Sequence, residues 1–108
     1  MPSIEVRYFT GDVEQIKLSK KQPVSIGRQK TNDVCIDEEG VALLHCRVAW
    51  NKAVYEVAAA NLDGVDVNGK VVRHAALSDG DVIRVGSVDI AFVNGDAGAE
   101  EAFREIVA

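Results

Sequence analysis

At 108 residues, with 47% hydrophobic and 27% charged residues, the chain has the size and composition of one folded domain with a core of its own. Its net charge of -5 leaves nothing to attract the whole molecule to nucleic acid or anionic lipid, so no nucleic-acid partner is expected. No apolar run approaches the roughly 20 residues of a membrane span, and Met1-Pro2-Ser3-Ile4-Glu5-Val6 lacks the basic-then-apolar layout of a signal peptide, so the expectation is a cytoplasmic domain without membrane insertion.

Taken in chain order, nearly every segment up to Val93 reads at period two or as a short β-branched run, with turn signals about every ten residues, the pattern of an antiparallel sandwich or barrel. Ile4, Val6 and Tyr8 alternate with polar residues, and Thr10-Gly11-Asp12 turns the chain toward Ile16 and Leu18, an opening hairpin. Pro23 starts a strand carrying Val24 and Ile26, which ends at Gly27-Arg28. After the polar stretch Gln29-Lys30-Thr31-Asn32-Asp33 come the short strand Val34-Cys35-Ile36, an acidic loop 37–40, and Val41-Ala42-Leu43-Leu44, which is unusually apolar for a connection. Residues 45–50 and 53–58 flank an Asn51-Lys52 turn, with Trp50 and Tyr55 as sheet-packing aromatics. Residues 61–64 form a turn, Val65-Asp66-Val67 a strand, and Asn68-Gly69 the strongest hairpin signal, followed by Val71-Val72-Arg73 and a solvated loop at His74. Leu77 to Asp81 turn into a closing hairpin, 82–85 with 88–93. From Gly95 the composition shifts to alanine and glutamate, with Phe103, Ile106 and Val107 on one helical face: a short helix or tail, or the start of a linker to a larger chain.

The residue that invites a functional reading is Arg28, set where a rigid strand hands over to a loop; its planar fork suits phosphates and carboxylates. The glycines fall one per turn and make no phosphate-cradling cluster. Cys35 and Cys46, each inside an apolar run, read as buried thiols rather than a disulfide, and with His45 and His74 they lack metal-site spacing, so neither metal nor cofactor is expected. His45, His74, Ser78, Asp79 and Asp81 include the residue types of a nucleophilic triad, but no nucleophile motif accompanies them, and no catalytic residue is assigned.

Ile26-Gly27-Arg28, Asn32-Asp33-Val34, Ile36, His45, Val67-Asn68-Gly69, Leu77 to Ile83 and Gly86 resemble, in order and spacing, the forkhead-associated (FHA) domain family over about residues 4–93. The resemblance implies an all-β, SMAD-type sandwich of about eleven strands in two antiparallel sheets, spanning residues 1–94 ahead of a tail at 95–108, whose loops at one end bind phosphothreonine peptides. It places Arg28 at the phosphate-contacting position, with Lys30 and Thr31 as neighbouring candidates, and makes Gly27, Asn32, Asp33, His45, Gly64, Asn68 and Gly69 structural. It also identifies departures. Ala42 stands where the family has a phosphate-binding serine, Leu43 where a polar or basic residue is common, and Leu62-Asp63 where a polar residue and a peptide-holding asparagine precede glycine. The expected function is a protein-interaction module using the Arg28 loop end with phosphothreonine binding weakened or lost. The alternatives are genuine phosphothreonine recognition anchored by Arg28, and a structural or oligomerising domain. An internal pairing of Arg28 with Asp63, or with Glu38 and Glu39, is the competing use of the guanidinium.

Overall fold

The structure, a computed structural model, describes residues 2–94; the helix or tail expected at 95–108 lies outside the described residues. In chain order its strands are β1 (Ser3–Arg7), β2 (Val13–Lys17), β3 (Val24–Gly27), β4 (Val34–Cys35), β5 (Cys46–Trp50), β6 (Tyr55–Ala59), β7 (Val65–Val67), β8 (Lys70–Val72), β9 (His74–Ala76), β10 (Val82–Val85) and β11 (Val88–Val93). They form two sheets, ordered β2-β1-β11-β10-β7-β8 and β4-β3-β5-β6-β9.

Alternation along each strand explains the two-layer packing. Ile4 and Val6 of β1, Val24 and Ile26 of β3, Val48 of β5, Tyr55 and Val57 of β6, Ile83 and Val85 of β10, and Val88, Ile90 and Phe92 of β11 are all buried in one cluster. Each such side chain removed from water contributes roughly 1.5–3 kcal/mol. Trp50 and Tyr55 meet edge to face with centroids 5.1 Å apart, and Tyr55 reaches Phe92 of the other sheet at 6.0 Å, so the aromatics are packing groups at one end of the core.

The opening hairpin pairs Val6 with Glu14 and Ile4 with Ile16, in the register that its alternation implies. At Asn68-Gly69 both residues have positive φ, 54° and 83°, the two-residue turn that this dipeptide favours. Two features differ from the sequence reading. The β3–β4 pairing is parallel, Ile26 beside Val34 and Gly27 beside Cys35, whereas the other pairings of the described strands are antiparallel. The carboxylate of Asp33 braces this return of the chain. Asp33 Oδ2 accepts the Ser25 amide (2.9 Å) and hydroxyl (3.2 Å), returning the loop after Arg28 to the start of β3. His74, expected in a loop, begins β9, which pairs with β6 and so belongs to the other sheet from β8. In His-Ala-Ala only Ala75 packs against the core, which leaves no period-two signal to read.

These registers gather one set of connections at one end of the sandwich: the β1–β2 turn, the β3–β4 and β4–β5 loops, the β6–β7 loop, the β8–β9 junction and the β10–β11 turn.

Candidate functional site: the loop end around Arg28

Gly27 ends β3 buried, and a side chain there would overlap the Leu43 carbonyl oxygen and Asn32 Nδ2. The glycine thus permits the β3–β4 and β4–β5 loops to lie against each other. The Arg28 amide donates to Ala42 O (2.9 Å), and the Gln29 amide to Leu43 O (3.2 Å). Asn32 Nδ2 donates to both Gln29 O (2.8 Å) and Leu43 O (2.7 Å), stitching across the seam. The Cys35 thiol lies 3.4 Å from Arg28 O, and the Ile36 amide donates to Gly27 O (2.8 Å). The backbone of Arg28 is therefore held on both sides. Its side chain, half-exposed, makes no ion pair or hydrogen bond with any described residue, including Asp63, Glu38 and Glu39.

His45 joins the third loop to the other two. Its amide donates to Ile26 O (2.8 Å), its Nδ1 accepts the Ala42 amide (3.3 Å), and its carbonyl accepts both the Ala60 amide (2.9 Å) and Asn61 Nδ2 (3.0 Å). Asn61 Oδ1 in turn accepts the Asp63 amide (2.8 Å). Burial pushes the imidazole pKa below its ordinary 6.5, with Asp63 opposing that shift by attraction. The sign follows. Neutral His45 stabilises the fold at pH above the unfolded pKa, and that stability is lost as pH falls through the lowered folded pKa, where protonation of Nδ1 also removes the acceptor for Ala42. An NMR titration of the His45 ring is expected to give a midpoint below 6.5, with urea midpoints falling as pH is lowered from 7 toward it. A midpoint above 6.5 would contradict this geometry.

Glu38 is not available to Arg28. Its carboxylate accepts the Ser87 amide (3.0 Å) and hydroxyl (2.6 Å), tying the β4–β5 loop to the β10–β11 turn, where Gly86 has φ +61°. Glu38→Ala leaves the Ser87 amide without that acceptor and is expected to cost about 1–2 kcal/mol, measured by urea denaturation. Asp37 and Glu39 are exposed or nearly so on the same loop, and Lys30 and Thr31 are exposed beside Arg28. Ala42 is half-buried and offers no hydroxyl. Leu43 and Leu62 stand 55% and 87% exposed, and Asp63 is exposed next to Leu62.

Gly64 is buried at φ +84° against the Val71 side chain and Val72 O, so the β6–β7 loop sits on β8. Asn68 and Gly69 lie away from this end: the Asn68 amide donates to Val82 O, Asn68 Oδ1 accepts the Val82 amide, and Gly69 donates to Asp66. Arg73 was missed by sequence reasoning. It reads as the tail of a hairpin, yet its carbonyl accepts the Ala59 amide (2.8 Å), which puts its backbone beside the end of β6 with the residue exposed. Among the described residues no group of His, Cys, Asp or Glu is placed to hold a metal ion, and no helix is long and apolar enough to cross a membrane. The Cys46 thiol, fully buried, is pushed up to about 12 by burial; Cys35 is half-buried, and both are free.

Comparison with known proteins gives this arrangement a family. The FHA domain model matches residues 24–86. The chain is 33% identical over 79 residues to the ABC transporter ATP-binding/permease protein Rv1747 of Mycobacterium tuberculosis, covering 72% of this chain and 9% of that protein. It is 30% identical over 79 residues to the oxoglutarate dehydrogenase inhibitor of Corynebacterium jeikeium, covering 72% of this chain and 55% of that one. The match thus spans a small part of the first relative and about half of the second. Among solved structures, the FhaA FHA domain complexed with the intracellular domain of Rv3910 superposes with a TM-score of 0.70 at 27% identity, over 85% of this chain and 99% of that one. FHA domains are binding modules for phosphothreonine-dependent protein-protein interactions rather than catalytic units. With a family model matched across both sheets and all three loops around Arg28, the chain belongs to the FHA domain family and is a protein-protein interaction module.

Proposed function

We propose that this domain docks a protein partner through the loop end from Arg28 to Asp63, with its affinity for phosphothreonine weakened. The observation that carries the reading is the composition of that end. One guanidinium without a partner among the described residues belongs to a loop end where position 42 has no hydroxyl, position 63 is a carboxylate, and Leu43 and Leu62 are exposed. A phosphate carrying about -1.5 to -2 charges gains about 1.5–3 kcal/mol from each charge-assisted donor and is repelled by Asp63. Two exposed leucines at the rim favour an apolar contact instead. Arg28, Lys30 and Thr31 would meet the partner's polar groups, while Gly27, Asn32, Asp33, His45 and Gly64 hold the loops. The protein complex formed by the FhaA relative supports a protein as the class of partner. Cytoplasmic placement, a domain of residues 1–94 and the absence of a catalytic role belong to the same reading.

One observation favours phosphothreonine recognition as the second reading. The amides of Lys30, Thr31 and Leu43 make no hydrogen bond with described residues, so they are open donors beside Arg28. Screening a phosphothreonine-peptide library against the domain and its Arg28→Ala variant separates the two. The first reading expects few and weak phosphate-dependent hits. Strong hits that vanish with Arg28→Ala would replace it with the second.

A further inference from the structure

A second concave surface lies at the same end of the sandwich, on the side away from the β6–β7 loop. The β1–β2 turn and the segment after β4 enclose a cleft of about 390 Å³, whose apolar wall is made by Tyr8, Phe9, Cys35, Ile36 and Val88. Phe9 is 85% exposed at the tip of a turn whose next three residues, Thr10, Gly11 and Asp12, are all small or polar. No packing among the described residues accounts for a phenyl ring there, and the other lining apolar groups are already buried or half-buried in the fold.

Beside the neutral Thr10, the charged residues of the cleft are all acidic. Asp12, Asp37 and Glu38 line it, and no lysine or arginine does. Glu38 is committed to Ser87 and one Asp12 oxygen to the Thr10 hydroxyl (3.0 Å), but Asp37 makes no hydrogen bond or ion pair with any described residue. An apolar cleft rimmed by acids with no internal counter-charge complements a short apolar segment bearing lysine or arginine, and repels a phosphorylated one. Cys35 belongs to its wall and its thiol meets Arg28 O, so the cleft and the Arg28 loop share one rigid support.

We propose that this cleft is a second docking site, independent of phosphate, which takes a cationic, apolar segment of a partner protein, with the partner's apolar side chain against Phe9 and Ile36 and its ammonium or guanidinium at Asp37. The probe is a short peptide of alternating leucine and lysine, with a leucine-glutamate peptide as its counterpart, followed by backbone amide NMR on the intact domain. The expected result is saturable shifts clustered at Phe9, Thr10, Ile36, Asp37 and Val88 with the lysine peptide only. Binding is expected to weaken at least fivefold in Phe9→Ala and in Asp37→Lys, both exposed positions that leave the core intact, and several-fold on raising salt. Three outcomes would overturn the proposal: no saturation, shifts spread evenly over all acidic surface, or shifts confined to the Arg28 loop. Because the probe carries no phosphate and neither Phe9 nor Asp37 is among the residues assigned to partner contact at the Arg28 site (Arg28, Lys30, Thr31, Leu43 and Leu62), failure here leaves the reading of that site standing, and the reverse holds too.

Discussion

Ala42→Ser combined with Asp63→Asn is expected to raise the affinity for a phosphothreonine peptide on the order of a hundredfold, since one recovered charge-assisted bond is worth about 1.5–3 kcal/mol and each 1.4 kcal/mol is tenfold. Most of the gain belongs to position 42. Its backbone is already fixed, with the amide on His45 Nδ1 and the carbonyl on the Arg28 amide, so a hydroxyl there would be presented beside Arg28 without reordering the loop. Asp63 is exposed, and its repulsion is screened by solvent, so Asp63→Asn alone is expected to give only a few-fold. Calorimetric titration of the single and double variants checks the partition. Unchanged affinity in Ala42→Ser would mean that phosphate does not approach position 42.

Gly27→Ala is expected to be the most damaging single change at this end, costing about 2–4 kcal/mol because the added methyl overlaps backbone rather than a movable side chain. The Leu43 carbonyl that it meets is also the acceptor for the Gln29 amide and Asn32 Nδ2, so displacing it strains two hydrogen bonds at once. For a domain of this size the midpoint of thermal unfolding should fall by about 10–20 °C. Arg28→Ala, by contrast, removes a side chain with no partner among the described residues and is expected to leave stability within about 0.5 kcal/mol. A Gly27→Ala domain as stable as the unaltered one would show that the two loops are not pressed together as described.

The strands and hairpins were legible in the sequence because each rests on local chemistry: alternation in β1 and β2, and the positive-φ turn at Asn68-Gly69. The position of Arg28 at a strand end followed from the same kind of signal. What could not be read is contact between residues far apart in the chain. Glu38 reads as a loop acid free to meet Arg28, and only the fold brings Ser87, 49 residues on, to its carboxylate. Asp33 reads as a turn former, yet it bonds Ser25 across the start of β4, which runs parallel to β3. β9 and the placement of Arg73 escaped for a related reason, since they depend on the chain changing sheets within one residue, and Arg73-His74-Ala75-Ala76 carries no apolar pattern to announce it. Leu43 and Leu62 read as candidates on the loop end and are exposed there; the cleft beneath Phe9 required three separate segments to be folded before it existed.

The most direct measurement is a calorimetric titration of the unaltered domain with a phosphothreonine peptide, its unphosphorylated form, and the same pair against Arg28→Ala. With Ala42 and Asp63 at the loop end, the expected result is binding weaker than about 100 μM and a difference of about tenfold or less between the two peptides, since the one surviving charge-assisted contact, at Arg28, is partly offset by repulsion from Asp63. Low-micromolar binding that requires the phosphate and disappears in Arg28→Ala would contradict it.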